Sequence, residues 1–526
     1  MQFKLAAVFS DNCVLQRKKS AAVFGEGTDG SSVSVELFDG TALLQSAEAI
    51  VKDGKWCAAL APMEAQSGLT LKATCGKDTV LCQNVAVGEV WLCGGQSNME
   101  FELQNCLTGR QHLEGNAPDV RFYYTQKKLM SDVDFFDSEA YTGWSLFSSE
   151  NARCWSAVGC IFAEKLSHAL NVTVGLIGCN WGGTSASCWM DEASLESDPD
   201  TAVYLREYEK GIEGKSVEEQ TREYMEYQAY SEEWNRRYNE LLQTRPGIDW
   251  TEAEKTLGPN RWPGPLNCLN PFRPTALYYS MLLRVCPYTL KGFLFYQGES
   301  DDHRPQVYYR LFSSMIRCWR RAWQDDAPFI FVQLPGFRYA GDPDYRHWCL
   351  IREAQEQVSR SVKDAFMIPA IDAGEFNEIH PKDKEPVGDR LYRAAMEKVY
   401  GLMSAAEAEA PAMENVLFEC ESAYVTFKCA CGSLTVKGVG GIAGFELARG
   451  DLQFRPAFAE IMSDRRTVRL RAQDVIAPKY ARYLWKNFPE AVNLYGVNDL
   501  PALPFRTDDG GDGGKAKRHI QQVMEL

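Results

Sequence analysis

Residues 85–101 read VAVGEVWLCGGQSNMEF, and this stretch decides the fold. The run Val85–Cys93 is short and almost wholly apolar, as expected of a strand buried in a parallel sheet. Ser97 follows two glycines, at the point where that strand should end. A nucleophile elbow would read Gly-x-Ser-x-Gly, but Met99 stands where the second glycine is required. The role of Ser97 must therefore be judged from the residues at the other strand ends.

Length, charge and cysteine usage limit the classes of protein to consider. The chain has 526 residues, enough for about three to four domains. Its net charge of −15 argues against nucleic-acid or anionic-membrane partners, and no apolar run approaches the roughly 18 residues of a membrane span. The N-terminus lacks a secretory h-region, which favours cytoplasmic residence unless an export signal was removed. The 17 cysteines lack paired ligand spacing, so we expect neither a metal site nor another cofactor.

The pattern of apolar residues changes several times along the chain. Short β-rich runs separated by glycine and aspartate come first, and apolar strands alternating with amphipathic helices follow, which is typical of an open α/β sheet. We predict an N-terminal β domain at 1–87, an α/β domain at 88–193 and 273–402, a helical insertion at 194–272, a C-terminal β domain at 411–510 and a flexible tail at 511–526. The insertion is either a cover over the site or a solvated excursion.

Polar residues follow four of the predicted strands. Open α/β sheets place their sites at the carboxyl ends of the strands, so these residues should lie close together. They are Gln96-Ser97-Asn98, the segment Asn180–Thr184, the segment Tyr296–Ser300, and the segment Asn377–Pro381. Each segment alone is more often structural than catalytic, but together they suggest one site.

Acyl transfer needs a nucleophile, a base and donors for the oxyanion. Ser97 is the candidate nucleophile, and His380, after the last strand, is the candidate base. The candidate donors are the N–H of Ser97, an N–H of Gly182 or Gly183, and the amide of Gln297. His303 is the one serious rival to His380, because the other four histidines lie in a helix, in polar loops or in the tail: His112, His168, His347 and His519.

These motifs resemble the sialate O-acetylesterase family of the SGNH-hydrolase superfamily. The resemblance rests on FSDNCVLQR, VAVGEVWLCGGQSNMEF, NWGGTSASCWM, the block ending in YQGES, EIHPKDKEPVGDRL and a C-terminal block beginning RYLWKNFPEA. It implies a flavodoxin-like parallel-sheet core with flanking all-β domains, and a metal-free serine esterase. By position it implies Ser97 as nucleophile, His380 as base, and Gly182, Gly183 and Gln297 as the oxyanion hole.

The chain departs from this family at the triad acid. Members usually carry an aspartate shortly before the histidine, whereas this chain has Glu378 two residues before it and Asn377 three before it. Glu378 can reach the ring only if the loop curls, and Asn377 would orient the ring without a charge. We favour Glu378, and a Ser-His dyad stays open. Gln96, Asn98, Glu299 and Asn377 are candidates for substrate contact or support of the site.

The predicted function is removal of O-acetyl groups from carbohydrates, with O-acetylated sialic acid as the first choice. An acetylxylan-type esterase would use the same residues. A catalytically silent carbohydrate-binding protein is the alternative from another class, and the missing aspartate gives it support. No residue pattern identifies the sugar or the oligomeric state.

Overall fold

The computed structural model describes residues 3–115, 118–128, 142–248 and 250–508. The tail predicted at 511–526 lies outside the described residues. The N-terminal strands are β1 Lys4–Leu5, β2 Val14–Gln16, β3 Ala21–Glu26, β4 Ser32–Asp39, β5 Ala42–Ile50, β6 Lys55–Leu60, β7 Gln66–Cys75 and β8 Asp78–Gly95. Alternate residues of β4 are buried, because successive side chains of a strand point to opposite faces.

The central strands form the sheet that carries the predicted site. They are β9 Val120–Tyr124, β10 Ser145–Leu146, β11 Val174–Asn180, β12 Gly292–Tyr296, β13 Phe329–Val332 and β14 Ala365–Ile368. The order across the sheet is β10-β9-β11-β8-β12-β13-β14, and the neighbours are parallel except at β10. After β11 the chain crosses to the other side of β8, which makes β8 the point where the winding changes direction. Such a point is where open α/β sheets form a crevice.

Strand β8 joins the N-terminal strands to this sheet. Its first part pairs antiparallel with β7, and its second part pairs parallel with β11 and β12. The boundary predicted between residues 87 and 88 therefore falls inside one continuous strand. The apolar core is also continuous across it, from Val33 in β4 to Trp319 beside the central sheet.

Helices alternate with the central strands, as the apolar pattern predicted. They are α1 Ser97–Glu100, α2 Gly109–Glu114, α3 Ala157–Leu170, α4 Glu192–Glu196, α5 Val203–Ile212, α6 Val217–Thr244, α7 Trp250–Leu257, α8 Leu283–Val285, α9 Tyr308–Trp323, α10 His347–Ser361, α11 Glu385–Lys398 and α12 Ala405–Ala408. No helix among the described residues is both long enough and apolar enough to cross a membrane.

Helices α5, α6 and α7 occupy the region predicted as an insertion. Helix α6 begins with a capping box, in which the Ser216 side chain accepts from the Glu219 N–H and the Glu219 side chain accepts from the Ser216 N–H. This pairing satisfies N–H groups that the first helical turn leaves open. Few residues of α6 are buried, so the helix lies on the surface of the protein.

The C-terminal strands form smaller sheets with a core of their own. They are β15 Ala412–Phe418, β16 Ala423–Lys428, β17 Leu434–Val436, β18 Phe445–Ala448, β19 Arg455–Pro456, β20 Phe458–Ile461, β21 Thr467–Arg471, β22 Tyr480–Tyr483, β23 Leu494–Gly496 and β24 Phe505–Arg506. A bidentate pair of Arg506 with Glu353 of α10 ties them to the central sheet, at 2.8 and 2.7 Å. The predicted fold class, an α/β core with flanking all-β parts and a helical insertion, is confirmed.

Candidate active site

Three neighbouring strands of the sheet end level with one another. In the pairing of β8 with β11 and β12, Gly95 lies opposite Asn180 on one side and Tyr296 on the other. Gly95 has φ +131°, and a Cβ there would lie 2.1 Å from the Tyr296 carbonyl oxygen. Only glycine fits this position, and it lets the chain leave the sheet immediately. The segments after the three strands therefore meet at one edge.

Gln96 fixes the turn that leads into α1. Its N–H donates to the Tyr296 carbonyl at 3.1 Å, and its side-chain Oε1 accepts from the Ser300 N–H at 3.2 Å. The serine follows directly as the first residue of α1. Because the first N–H groups of a helix have no intrahelical acceptor, the Ser97 N–H is left for another partner.

Ser97 and His380 are hydrogen-bonded. The serine Oγ lies 2.8 Å from His380 Nε2, although the two residues are 283 positions apart. Burial lowers the pKa of His380 below its usual value, and Glu378 opposes this in part. A histidine with a lowered pKa is neutral near pH 7, so Nε2 is able to accept the serine proton.

Of the two candidates for the triad acid, Glu378 faces the histidine. Residues 375 and 378 form a β-bridge and Asn377 has φ +62°, so the loop curls as the Glu378 assignment required. Glu378 Oε1 accepts from the His380 backbone N–H at 2.8 Å and lies 3.8 Å from Nδ1. That second distance is longer than a hydrogen bond. Asn377 is held away, because its Oδ1 accepts from the Ala340 N–H at 2.9 Å.

The glycine segment after β11 lies against the serine. A Cβ on Gly182 would be 3.2 Å from the Ser97 Cβ. The Gly182 N–H, however, donates to Glu100 Oε2 at 2.7 Å. Glu100 in turn forms an ion pair with Lys127, whose ammonium lies 5.3 Å from the centre of the Trp181 ring. The Gly182 N–H can bind an oxyanion only after its hydrogen bond to the Glu100 carboxylate is broken.

Gln297 has a different role from the one predicted. Its Nε2 donates to the Thr184 carbonyl at 3.1 Å and to Asp301 Oδ2 at 2.7 Å, which uses both amide hydrogens. Its Oε1 accepts from the Tyr308 hydroxyl at 2.9 Å. The prediction that this amide is an oxyanion donor is therefore wrong. The buried side chain instead holds the end of the glycine segment through the Thr184 carbonyl.

Asn98 connects the serine turn to the histidine loop. Its Nδ2 donates to Glu299 Oε1 at 2.7 Å and to the Ile379 carbonyl at 3.0 Å, directly before His380. Its Oδ1 accepts from Lys384 Nζ at 2.6 Å. Burial raises the pKa of Glu299 to about 7 and lowers that of Lys384 to about 8. Asn98 thus holds the backbone directly before His380, and Glu299 in turn holds the Asn98 amide.

Sequence reasoning missed several residues of this site. Lys384 and Glu100 both lie within quoted motifs, and Glu100 is one helical turn after the serine, on the same face. Asp301 accepts from the Ser185 hydroxyl at 2.6 Å and from the Ala186 N–H at 2.9 Å, which anchors the chain after the glycines. Its position directly after YQGES was the available signal.

Three of the other described histidines have partners of their own. His112 Nδ1 lies 2.6 Å from Glu164, and its Nε2 lies 2.9 Å from Glu385. The ring of His303 meets the edge of Tyr204, and His347 Nε2 lies 3.3 Å from Asp302. His168 lies in α3, and His519 is outside the described residues. In the described part of the chain, no group of three or more His, Cys, Asp or Glu side chains is arranged to hold a metal.

Comparisons with known proteins show that the chain is similar to esterases. Residues 267–397 match the family of carbohydrate esterases described as sialic acid-specific acetylesterases. The chain is 26% identical to the mouse sialate O-acetylesterase over 438 residues, covering 76% of this chain and 74% of the relative. The human sialate O-acetylesterase is 25% identical over 432 residues, which are 76% of this chain and 71% of the relative.

A solved structure is similar over nearly the whole chain. It is a carbohydrate acetylesterase from Xanthomonas citri, with a TM-score of 0.75 and 27% identity, and it covers 96% of this chain and 100% of its own. The protein is a carboxylic ester hydrolase related to the sialate O-acetylesterases. The family match of this esterase includes the histidine loop and the segment after β12, whereas Ser97 lies outside it.

Proposed function

We propose that this protein is a serine esterase that removes O-acetyl groups from carbohydrates, with O-acetylated sialic acid as the preferred substrate. The observation that carries the proposal is the 2.8 Å hydrogen bond between Ser97 Oγ and His380 Nε2. The lowered pKa of the histidine supports it, because only a neutral imidazole accepts a proton. The activities named for the mouse, human and Xanthomonas relatives support the substrate class.

In the acylation step, Ser97 Oγ attacks the acetyl carbonyl carbon while its proton passes to His380 Nε2. The carbonyl oxygen becomes an oxyanion, which the Ser97 N–H and a glycine N–H at 182 or 183 stabilise. The bond between the acetyl carbon and the sugar oxygen then breaks. His380 returns its proton to that oxygen, which leaves as a sugar hydroxyl and gives an acetyl-serine.

In the deacylation step, water replaces the sugar. His380 takes a proton from the water as the water oxygen attacks the acetyl carbon. His380 then gives this proton to the serine Oγ as the bond between Oγ and the acetyl carbon breaks. Acetate is released and the site is restored. Glu378 stabilises the imidazolium that forms in both steps, from 3.8 Å and therefore more weakly than a directly bonded carboxylate.

Acetate release tests this proposal. The substrates are 9-O-acetylated sialic acid, acetylated xylo-oligosaccharides and ethyl acetate, a ringless ester, each with wild type and with Ser97→Ala. We expect wild type to prefer the acetylated sialic acid, and the variant to lose turnover on the order of 10⁴-fold or more without a change in thermal unfolding. Near-normal turnover by Ser97→Ala would contradict the serine mechanism.

The same assay separates the alternatives. Preference for the xylo-oligosaccharides would establish the acetylxylan-type esterase and overturn the sialic acid assignment. If folded wild type cleaves none of the esters, the hypothesis of a catalytically silent carbohydrate-binding protein is favoured. The 3.8 Å separation between Glu378 and the histidine ring would then be its leading explanation.

A further inference from the structure

An aromatic residue from the insertion lies over the glycine segment of the site. Gly183 has φ +78°, and a Cβ there would lie 2.8 Å from Cζ2 of Trp262 and 3.1 Å from Cε1 of Phe272. The preceding residue, Gly182, lies against Ser97. The indole is therefore separated from the serine by only two glycines. A larger residue at 183 would collide with it, so this glycine permits the approach.

About half of Trp262 is exposed to solvent, and one edge of its indole is packed against the glycine segment. The residue is 53% exposed, and its ring meets Phe272 edge-to-face with centroids 5.4 Å apart. A single exposed aromatic residue needs no explanation by itself. Trp262 differs from such a residue because it lies beside the glycine segment, along which the alcohol part of an ester bound at Ser97 could extend.

The loop around Trp262 is held in place before any substrate binds. The Trp262 backbone N–H donates to Asn260 Oδ1 at 2.8 Å, and Asn270 Nδ2 donates to the carbonyls of Pro263 and Pro265 at 3.0 and 2.8 Å. The Arg261 guanidinium lies over the Tyr230 ring of α6, at 4.4 Å from its centre. These contacts hold the loop that carries the indole and leave its ring open, and a preorganised surface loses little conformational entropy on binding.

We propose that Trp262 is a specificity-determining residue, and that its exposed indole face binds the sugar ring of the acetylated substrate. A pyranose ring presents a face of C–H groups, which packs well on an aromatic face, while its hydroxyls stay in water or bond to polar groups. Among the described residues nothing accepts from the indole Nε1–H, so it is available to a sugar hydroxyl. The inference rests on the proposed function, and it predicts that Trp262 favours cyclic sugar esters over ringless ones.

The test compares two esters in the same enzyme. Wild type, Trp262→Ala and Trp262→Phe are assayed on 9-O-acetylated sialic acid and on ethyl acetate, with Phe458→Ala as control. Phe458 is 70% exposed in β20 of the C-terminal part, so its removal matches the loss of exposed aromatic surface. We expect Trp262→Ala to lower kcat/KM for the sugar ester about tenfold, mainly through KM, and to leave ethyl acetate unchanged. Trp262→Phe should retain most of the preference, and Phe458→Ala all of it.

Equal losses on both esters, or an unchanged preference for the sugar ester, would overturn the inference. A binding measurement separates its failure from failure of the proposed function. Calorimetry with 9-O-acetylated sialic acid is run on Ser97→Ala and on the double variant Ser97→Ala/Trp262→Ala. About tenfold weaker binding by the double variant supports the sugar platform even if wild type proves inactive. Equal binding, or none by Ser97→Ala, contradicts it.

Discussion

His380 and His112 lie near the same stretch of chain but in opposite environments. His112 lies between the carboxylates of Glu164 and Glu385, at 2.6 and 2.9 Å, and these hydrogen bonds raise its pKa to about 9. His380 lies five residues before Glu385, where burial lowers its pKa and the Glu378 carboxylate is 3.8 Å from Nδ1. The first histidine is a cation at pH 7, and the second is a neutral base.

The difference shows that burial, together with the presence or absence of carboxylates at hydrogen-bond distance, decides whether a histidine keeps its proton here. A ring whose two nitrogens are both bonded to carboxylates keeps its proton and works as a structural cation. A ring that meets a serine on one side and a carboxylate beyond bonding distance on the other can exchange its proton. The weak contact with Glu378 therefore suits a base that must be neutral between reaction steps.

The largest expected effect separates the two histidines by activity. His380→Ala should lower kcat/KM for 9-O-acetylated sialic acid on the order of 10⁴-fold or more, because it removes the proposed base. His112→Gln should stay close to wild type in the same assay at pH 7. Comparable losses in the two variants, with both shown to be folded by circular dichroism, would contradict the assignment of His380 as the base.

The next effect separates them by stability. A histidine whose pKa is raised on folding contributes stability that is present below its unfolded pKa of about 6.5 and is lost as pH rises through about 9. We expect His112→Gln to lower the free energy of unfolding by about 2 kcal/mol at pH 6. Urea unfolding of variant and wild type from pH 6 to pH 10 measures this. A difference that does not shrink as pH rises would show that the ion pairs are not its cause.

The smallest expected effect concerns the acid. Glu378 raises the pKa of His380 against the effect of burial, so Glu378→Gln should move the acid limb of the kcat/KM profile to lower pH. We expect a loss of about tenfold at pH 7, far below the roughly 10⁴-fold cost of losing a directly bonded acid. An Asn377→Gly variant is the control, and its limb should stay in place. A shifted limb in the control instead would favour Asn377 as the orienting residue.

Much of the fold and the main pair of the site were predictable, because the signals are local. Runs such as VWLCGG and VTVGLIGCN are buried strands whichever residues cover them, and their carboxyl ends meet at one edge. His380 was selected by its place after the last strand of the sheet. The orientation of Gln297 was not predictable, because a buried amide follows its partners, and those are Thr184, Asp301 and Tyr308.

By itself the sequence determined the order of strands and helices and the presence of serine and histidine at strand ends, since apolar periodicity acts over a few residues. Only the tertiary structure decided which groups face them. It brought Glu100 to the Gly182 N–H, Lys384 to Asn98 and Trp262 to Gly183. Two of these contacts join residues about 80 positions apart and the third joins residues almost 290 apart, so no local pattern encodes them. They depend on the register of β8 with its neighbours and on the path of the insertion across the sheet edge.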